Sequence, residues 1–239
     1  GYDFAGAVNT NPNDGDSDPD DFYFHGTLAA GLIGAVGNNN MGISGVNWNV
    51  KLMALKVFAN DYYTDAVVFA SDAVAAIKYA VDNGAKIINA SWGGDYYSQT
   101  LYDTIQEAGN KGVLFIAAAG NDYGSNNDEP PVYPASFDLE NIISVMSTDH
   151  NDVMSDFTNF GPTSVDVAAP GTSVLSTTPT IQKFPMIVFQ VATNYDRQSG
   201  TSMSAPIVAG QCALIWSHYP SLPSSLVKGA LLGILATAF

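Results

Sequence analysis

Short apolar runs bounded by turn residues alternate with stretches of helical spacing through the middle of the chain, and this alternation constrains the fold more than composition does. Residues 51–57 read as a strand, and 66–83 as a helix with Ala, Val and Ile at helical spacing that stops at Asn83-Gly84. Residues 86–91 read as a second strand, 101–111 as a second helix before Gly112, and 113–118 as a third strand. Strands that alternate with helices pair in parallel, because each right-handed crossover packs its helix back onto the sheet. The runs 141–146 and 164–168 extend that sheet.

The chain of 239 residues contains nothing that resembles a linker and is long enough to bury a substantial core, so one domain is expected. Eight basic against 23 acidic side chains leave a net charge of −15. No basic surface is available to neutralise phosphates, which excludes nucleic acid as a partner. The single cysteine, Cys212, rules out an intramolecular disulfide framework and, inside the apolar run 207–216, reads as a small buried side chain. No apolar run reaches the roughly 18 residues of a membrane span, so no membrane association is expected.

Chemistry concentrates near the end of the chain. Residues 200–206, GTSMSAP, set small turn-prone residues directly before the apolar run 207–216, which reads as a buried helix. A serine at such a junction lies where unpaired N–H groups and the positive end of the helix dipole favour negative charge, as a nucleophile requires. The same position suits a helix cap, and from this stretch alone Thr201 or Ser202 could serve as one. Three upstream motifs bear on the choice: HGTLAAG at 25–31, INASWGG at 88–94 and AAAGND at 117–122. His25 stands before Leu28, Ala29, Leu32, Ile33 and Val36, a spacing compatible with a helix burying one face.

Together these four motifs closely resemble the subtilisin-like serine peptidases, the subtilase family, from about His25 to Trp216. The resemblance implies an α/β, three-layer subtilisin-like fold with a mostly parallel central sheet and helices on both faces. It implies a serine endopeptidase in which Ser202 is the nucleophile, His25 the general base and Asn121 the oxyanion donor. It further implies that Ser91, Trp92 and Gly93 hold an extended peptide as an added strand, while Ala118, Ala119 and Gly120 floor a side-chain pocket. Trp92 reads equally well as a subsite wall or as core. The expected substrate is a polypeptide, no cofactor is needed for catalysis, the molecule is a monomer, and the setting is extracellular. A propeptide inhibitor in a longer precursor is consistent with the same resemblance.

The pattern is also departed from. The family order is Asp, then His, then Ser, with the aspartate closing an early apolar strand before Ser/Thr-Gly; no such strand precedes His25. Neither Asp3 nor the aspartates of 14–21 suits that role, so residues 1–239 are expected to be a single peptidase domain lacking the strand that carries the orienting carboxylate. Loss of that aspartate lowers turnover by roughly 10⁴ to 10⁵ in subtilisin itself, and a chain without a central strand is expected to be weakly active and unstable. A non-catalytic peptide-binding module of the same family is the alternative. Leu28 replaces a second histidine found in many members. The connection 180–198 is longer and more apolar than expected. Structural Ca²⁺ is a further expectation, at the acidic loop 9–21 or at the Gly/Asn turn 38–46, although 14–25 does not fit an EF-hand loop.

Overall fold

A computed structural model describes residues 1–5, 17–21, 23–59, 67–179, 181–184, 187–190 and 194–233. In chain order the elements are β1 (Tyr2–Asp3), α1 (His25–Gly34), β2 (Leu55–Lys56), β3 (Phe58–Ala59), β4 (Val67–Val68), α2 (Ala70–Asp82), β5 (Ile87–Ala90) and α3 (Gln99–Asn110). There follow β6 (Leu114–Ala118), β7 (Ile142–Thr148), β8 (Val167–Pro170), β9 (Val174–Thr177), β10 (Ile181–Phe184), β11 (Ile187–Gln190), β12 (Tyr195–Gln198), α4 (Thr201–His218) and α5 (Ser224–Leu231).

The centre is a four-stranded sheet in the order β5-β6-β7-β8, parallel throughout. Alternation along β6 sorts its side chains between two layers. Leu114, Ile116 and Ala118 face α4 and α5 in a cluster with Val208, Cys212 and Val227, whereas Phe115 and Ala117 face α2 and α3 in a cluster with Ile77, Leu101 and Ile105. Burial on both faces is why this strand reads as an unbroken apolar run. Phe115 and Ile116 are fully buried, each stabilising the fold by about 1.5–3 kcal/mol relative to exposure. Helices on both faces of a parallel sheet give the three-layer α/β arrangement expected from the sequence.

Three expectations change in detail. The strand expected over 51–57 forms a ladder only at Leu55–Lys56, because its partner is the two-residue β1. The last core helix begins at Thr201 rather than at 207, which sets Ser202 inside the first turn of α4. The long connection after β9 is a hairpin: β9 pairs antiparallel with β12, and the backbones of β10 and β11 pair antiparallel beyond them. Thr180, Pro185, Met186 and 191–193 of that connection, most of the acidic loop (9–16) and the chain after Gly233 lie outside the described residues.

Among the described residues β2 pairs only with β1, and β5 only with β6. Between those two free edges lies a cavity of about 1410 Å³. Leu55 and Val57 line one side and Ile87 and Asn89 the other, with Ala73 and Ala76 of α2 and Ala209 and Ala213 of α4 also on its wall. His25, Ser91 and Trp216 also line it.

Candidate active site

Ser202 is held by its own helix and by the loop after β5. Pro206, in the interior of α4, has no N–H to give the carbonyl four residues before it, which is that of Ser202. Ser91 Oγ supplies the bond instead, donating to Ser202 O at 2.9 Å. Ser202 Oγ donates back to Ser91 O at 3.2 Å. Ser202, the expected nucleophile, and the first residue of the expected peptide-pairing segment are therefore joined by a reciprocal pair. The Ser202 N–H lies in the first helical turn, where no carbonyl of the helix precedes it to accept.

Asn121 meets the same turn from the end of β6. Its Oδ1 accepts from Thr201 N at 2.9 Å and from Thr201 Oγ1 at 3.1 Å, and Gly120 N donates to Thr201 Oγ1 at 3.1 Å. This leaves Asn121 Nδ2 without a partner among the described residues, beside the Ser202 turn. At Gly200, with φ 155°, an added Cβ would sit in contact with the Asn121 amide, 3.5 Å from its Nδ2 and 3.7 Å from Ser202 N. Thr201, fully buried, caps no helix as the sequence allowed; its hydroxyl instead joins Gly120 and Asn121.

His25 opens α1, directly after Phe24 in the left-handed region at φ 74°. Asp21 caps this helix, accepting from Thr27 N and Thr27 Oγ1 at 2.7 Å each and from Tyr23 N at 3.0 Å. Burial pushes the His25 pKa below its ordinary 6.5, and the nearby Asp21 charge opposes the shift without reversing it. The imidazole packs edge-on against Phe58 at 5.3 Å. Leu28 and Leu32 of α1 pack on Met203, the residue after Ser202, so the starts of α1 and α4 lie against each other. No hydrogen bond joins His25 to Ser202 among the described residues, because the Ser202 hydroxyl is turned to Ser91. Asp3 is likewise committed elsewhere, paired with Lys56 Nζ at 2.6 Å and accepting from Ala5 N.

The expected binding residues divide between wall and core. Gly94 and Tyr133 exchange backbone hydrogen bonds at 2.9 and 2.8 Å beyond Gly93, whose added Cβ would meet Tyr133 O at 3.0 Å. Trp92 is half-buried, with its ring edge-on to Phe115 and packed against the α2/α3 layer, so much of it is core. Ala118 and Ala119 are buried, Ala118 within the α4 cluster, and Gly120 at φ 113° could not carry a side chain because its Cβ would stand 2.5 Å from Asn159 Nδ2. No cluster of three or more His, Cys, Asp or Glu side chains suited to a metal exists among the described residues. In the 38–46 turn Asn39 Oδ1 accepts from Met41 N at 3.0 Å.

The profile of the subtilase family matches residues 2–234. The thermophilic serine proteinase of Bacillus sp. (strain AK1) is 39% identical over 218 residues, 91% of this chain and 47% of that protein. Thermitase of Thermoactinomyces vulgaris is 38% identical over 205 residues, 86% of this chain and 65% of its own. The chain thus spans about half to two thirds of the length of these relatives. Among solved structures, a protease from Pseudoalteromonas arctica PAMC 21717 superposes with a TM-score of 0.81 at 28% identity, covering 96% of this chain and 74% of the other. A cold-adapted subtilisin-like serine proteinase gives 0.71 at 28% identity over 96% of this chain and 71% of the other. With the Ser202 turn, Asn121 and His25 carried on one parallel α/β scaffold and the family profile matched over residues 2–234, the chain belongs to the subtilase family.

Proposed function

We propose that the chain is the catalytic unit of a secreted, monomeric serine endopeptidase acting on polypeptides. Ser202 Oγ attacks the scissile carbonyl and passes its proton to His25, which returns it to the leaving amine; water then hydrolyses the acyl-enzyme by the reverse sequence. Asn121 Nδ2 and the Ser202 N–H hold the tetrahedral oxygen. The substrate pairs as a strand with the backbone of Ser91, Trp92 and Gly93, and its side chain before the cleaved bond rests over Ala118, Ala119 and Gly120. The single observation that carries this reading is the convergence of Ser91, Asn121 and Thr201 on the turn that presents Ser202.

The carboxylate that orients His25 belongs, on this reading, to an extended strand seated between β2 and β5. Support comes from the two unpaired edges, from the cavity that separates them, and from Asn89 Oδ1, which is buried without a hydrogen-bond partner on the cavity wall. Asp3 and Asp21 already have partners. The precursor carries a propeptide inhibitor over the same cleft, and two similar proteins are named extracellular protease and extracellular basic protease, which supports export. No helix among the described residues is long and apolar enough to cross a membrane.

The second reading, a peptide-binding module without turnover, is favoured by the missing His25–Ser202 hydrogen bond. A fluorophosphonate separates the two: labelling of Ser202 in the wild type, absent in Ser202→Ala and strongly slowed in His25→Ala, supports the peptidase. Peptide binding that His25→Ala leaves unchanged, with no labelling of the wild type, supports the module.

A further inference from the structure

Asn159, 38 positions beyond Asn121 in the chain, is completely buried and grips the loop on both sides of the oxyanion amide. Its backbone N–H donates to Gly120 O at 2.9 Å. Its side-chain Oδ1 accepts from Asp122 N at 2.7 Å, and its Nδ2 donates to Asp122 Oδ2 at 2.8 Å and to Asn127 Oδ1 at 2.9 Å. Asn127, itself buried, donates from Nδ2 to Ala119 O at 2.7 Å. Residues 119, 120 and 122 are thereby fixed from behind, while the Gly120 N–H and the Asn121 side chain reach forward to Thr201.

We infer that Asn159 is a positioning residue for the oxyanion site, acting through Asn121 and touching no substrate. A side-chain amide has two torsions to fix. Thr201 fixes one end by holding Oδ1, and the backbone pinned by Asn159 fixes the origin, so Nδ2 is left with one direction in which to point. Buried polar groups gripped this tightly specify geometry because each broken bond leaves an unsatisfied partner, here Asp122 N and Asn127 Oδ1. A carboxylate at 159 would face both the Asp122 carboxylate and Asn127 Oδ1 with no proton to offer.

The inference rests on the peptidase reading, and its test keeps the two apart. The rate of Ser202 labelling by a fluorophosphonate is measured in the wild type, Asn159→Asp, Asn121→Ala and the double variant. Asn159→Asp is expected to lower the maximal labelling rate about tenfold to a hundredfold, the scale of a misplaced reacting group, with reagent affinity changed less than about twofold. In the Asn121→Ala background it is expected to have no further effect, because the group it positions is gone. Multiplying effects in the double variant, or loss confined to reagent affinity, would overturn the assignment. Asp122→Asn with Asn159→Asp restores a donor to the pair and is expected to recover part of the rate, which a merely disrupted fold would not. Where the wild type is not labelled at all, the peptidase reading fails, and amide exchange at Thr201, whose N–H binds Asn121 Oδ1, decides the positioning alone. Faster exchange there in Asn159→Asp, with β6 and β7 unchanged, supports it, and unchanged exchange refutes it.

Discussion

At the scale of single residues, burial sets the protonation of the proposed base. Only neutral imidazole can accept the Ser202 proton, and the His25 pKa lies below the ordinary 6.5 because the ring is desolvated. The acid limb of Ser202 labelling should therefore have its midpoint below pH 6.5. Asp21→Asn removes the charge that opposes the shift, so the acid limb should move lower still; a limb at or above 6.5 would contradict the burial argument. The same group contributes to stability in the matching direction: with the folded pKa depressed, its contribution is complete above 6.5 and is lost as pH falls from there towards the folded value. Asn121→Ala should slow labelling by about 10² to 10³, the cost of one oxyanion donor in subtilisin itself. The proposed roles of His25, Ser202 and Asn121 come from the sequence because each stands in a short contiguous motif. The parts played by Asn159 and Thr201 do not: an asparagine in a polar turn looks ordinary, and the threonine beside Ser202 reads only as a helix cap, until the groups they bind are known. Cys212 was read correctly as buried, and its thiol is pushed up to about 12.

At the scale of elements, α4 and the end of β5 act as one unit. Pro206 interrupts the helix ladder at the one carbonyl that Ser91 then satisfies, so the proline and the serine are parts of a single device. Ser91→Ala should leave Ser202 O without its partner and cost about 1–3 kcal/mol of stability. Pro206→Ala restores an N–H four residues after Ser202, so the double variant should recover part of that loss in thermal denaturation. Additive losses would show that the two sites are independent. Element type was legible wherever periodicity ran long, as in α2, α3, β6 and α4. The boundaries were less so, because they depend on partners: β2 is short since only β1 lies beside it, and α4 starts early since Asn121 holds the first N–H of its turn. The hairpin β9–β12 could not be told from an irregular loop, because its pairing joins residues some twenty positions apart.

At the scale of the whole molecule, the sheet stands in two pieces with an apolar cavity between them, and that division links stability to chemistry. The free edges of β2 and β5 present backbone groups that one extended chain would satisfy along both sides, 4.7–4.9 Å from each. Its apolar side chains would fill the space between α2 and α4, and its carboxyl end, running parallel to β5, would emerge beside Ser91, which follows β5 and lines the cavity together with His25. A synthetic peptide of four apolar residues followed by Asp-Thr-Gly amide tests both consequences. At a hundredfold excess over its Kd it should stabilise the fold by about 2.7 kcal/mol. For a chain of this size that is a rise in Tm of roughly 5–10 °C. It should also raise the rate of Ser202 labelling, by up to the roughly 10⁴ that an orienting aspartate provides in subtilisin. The same peptide with Asn in place of Asp fills the slot equally well but offers His25 no charge, so it should raise Tm as much and labelling far less. A rise in Tm with both peptides but no difference in labelling would detach the slot from catalysis, and no rise with either would show that the edges of β2 and β5 do not receive a strand.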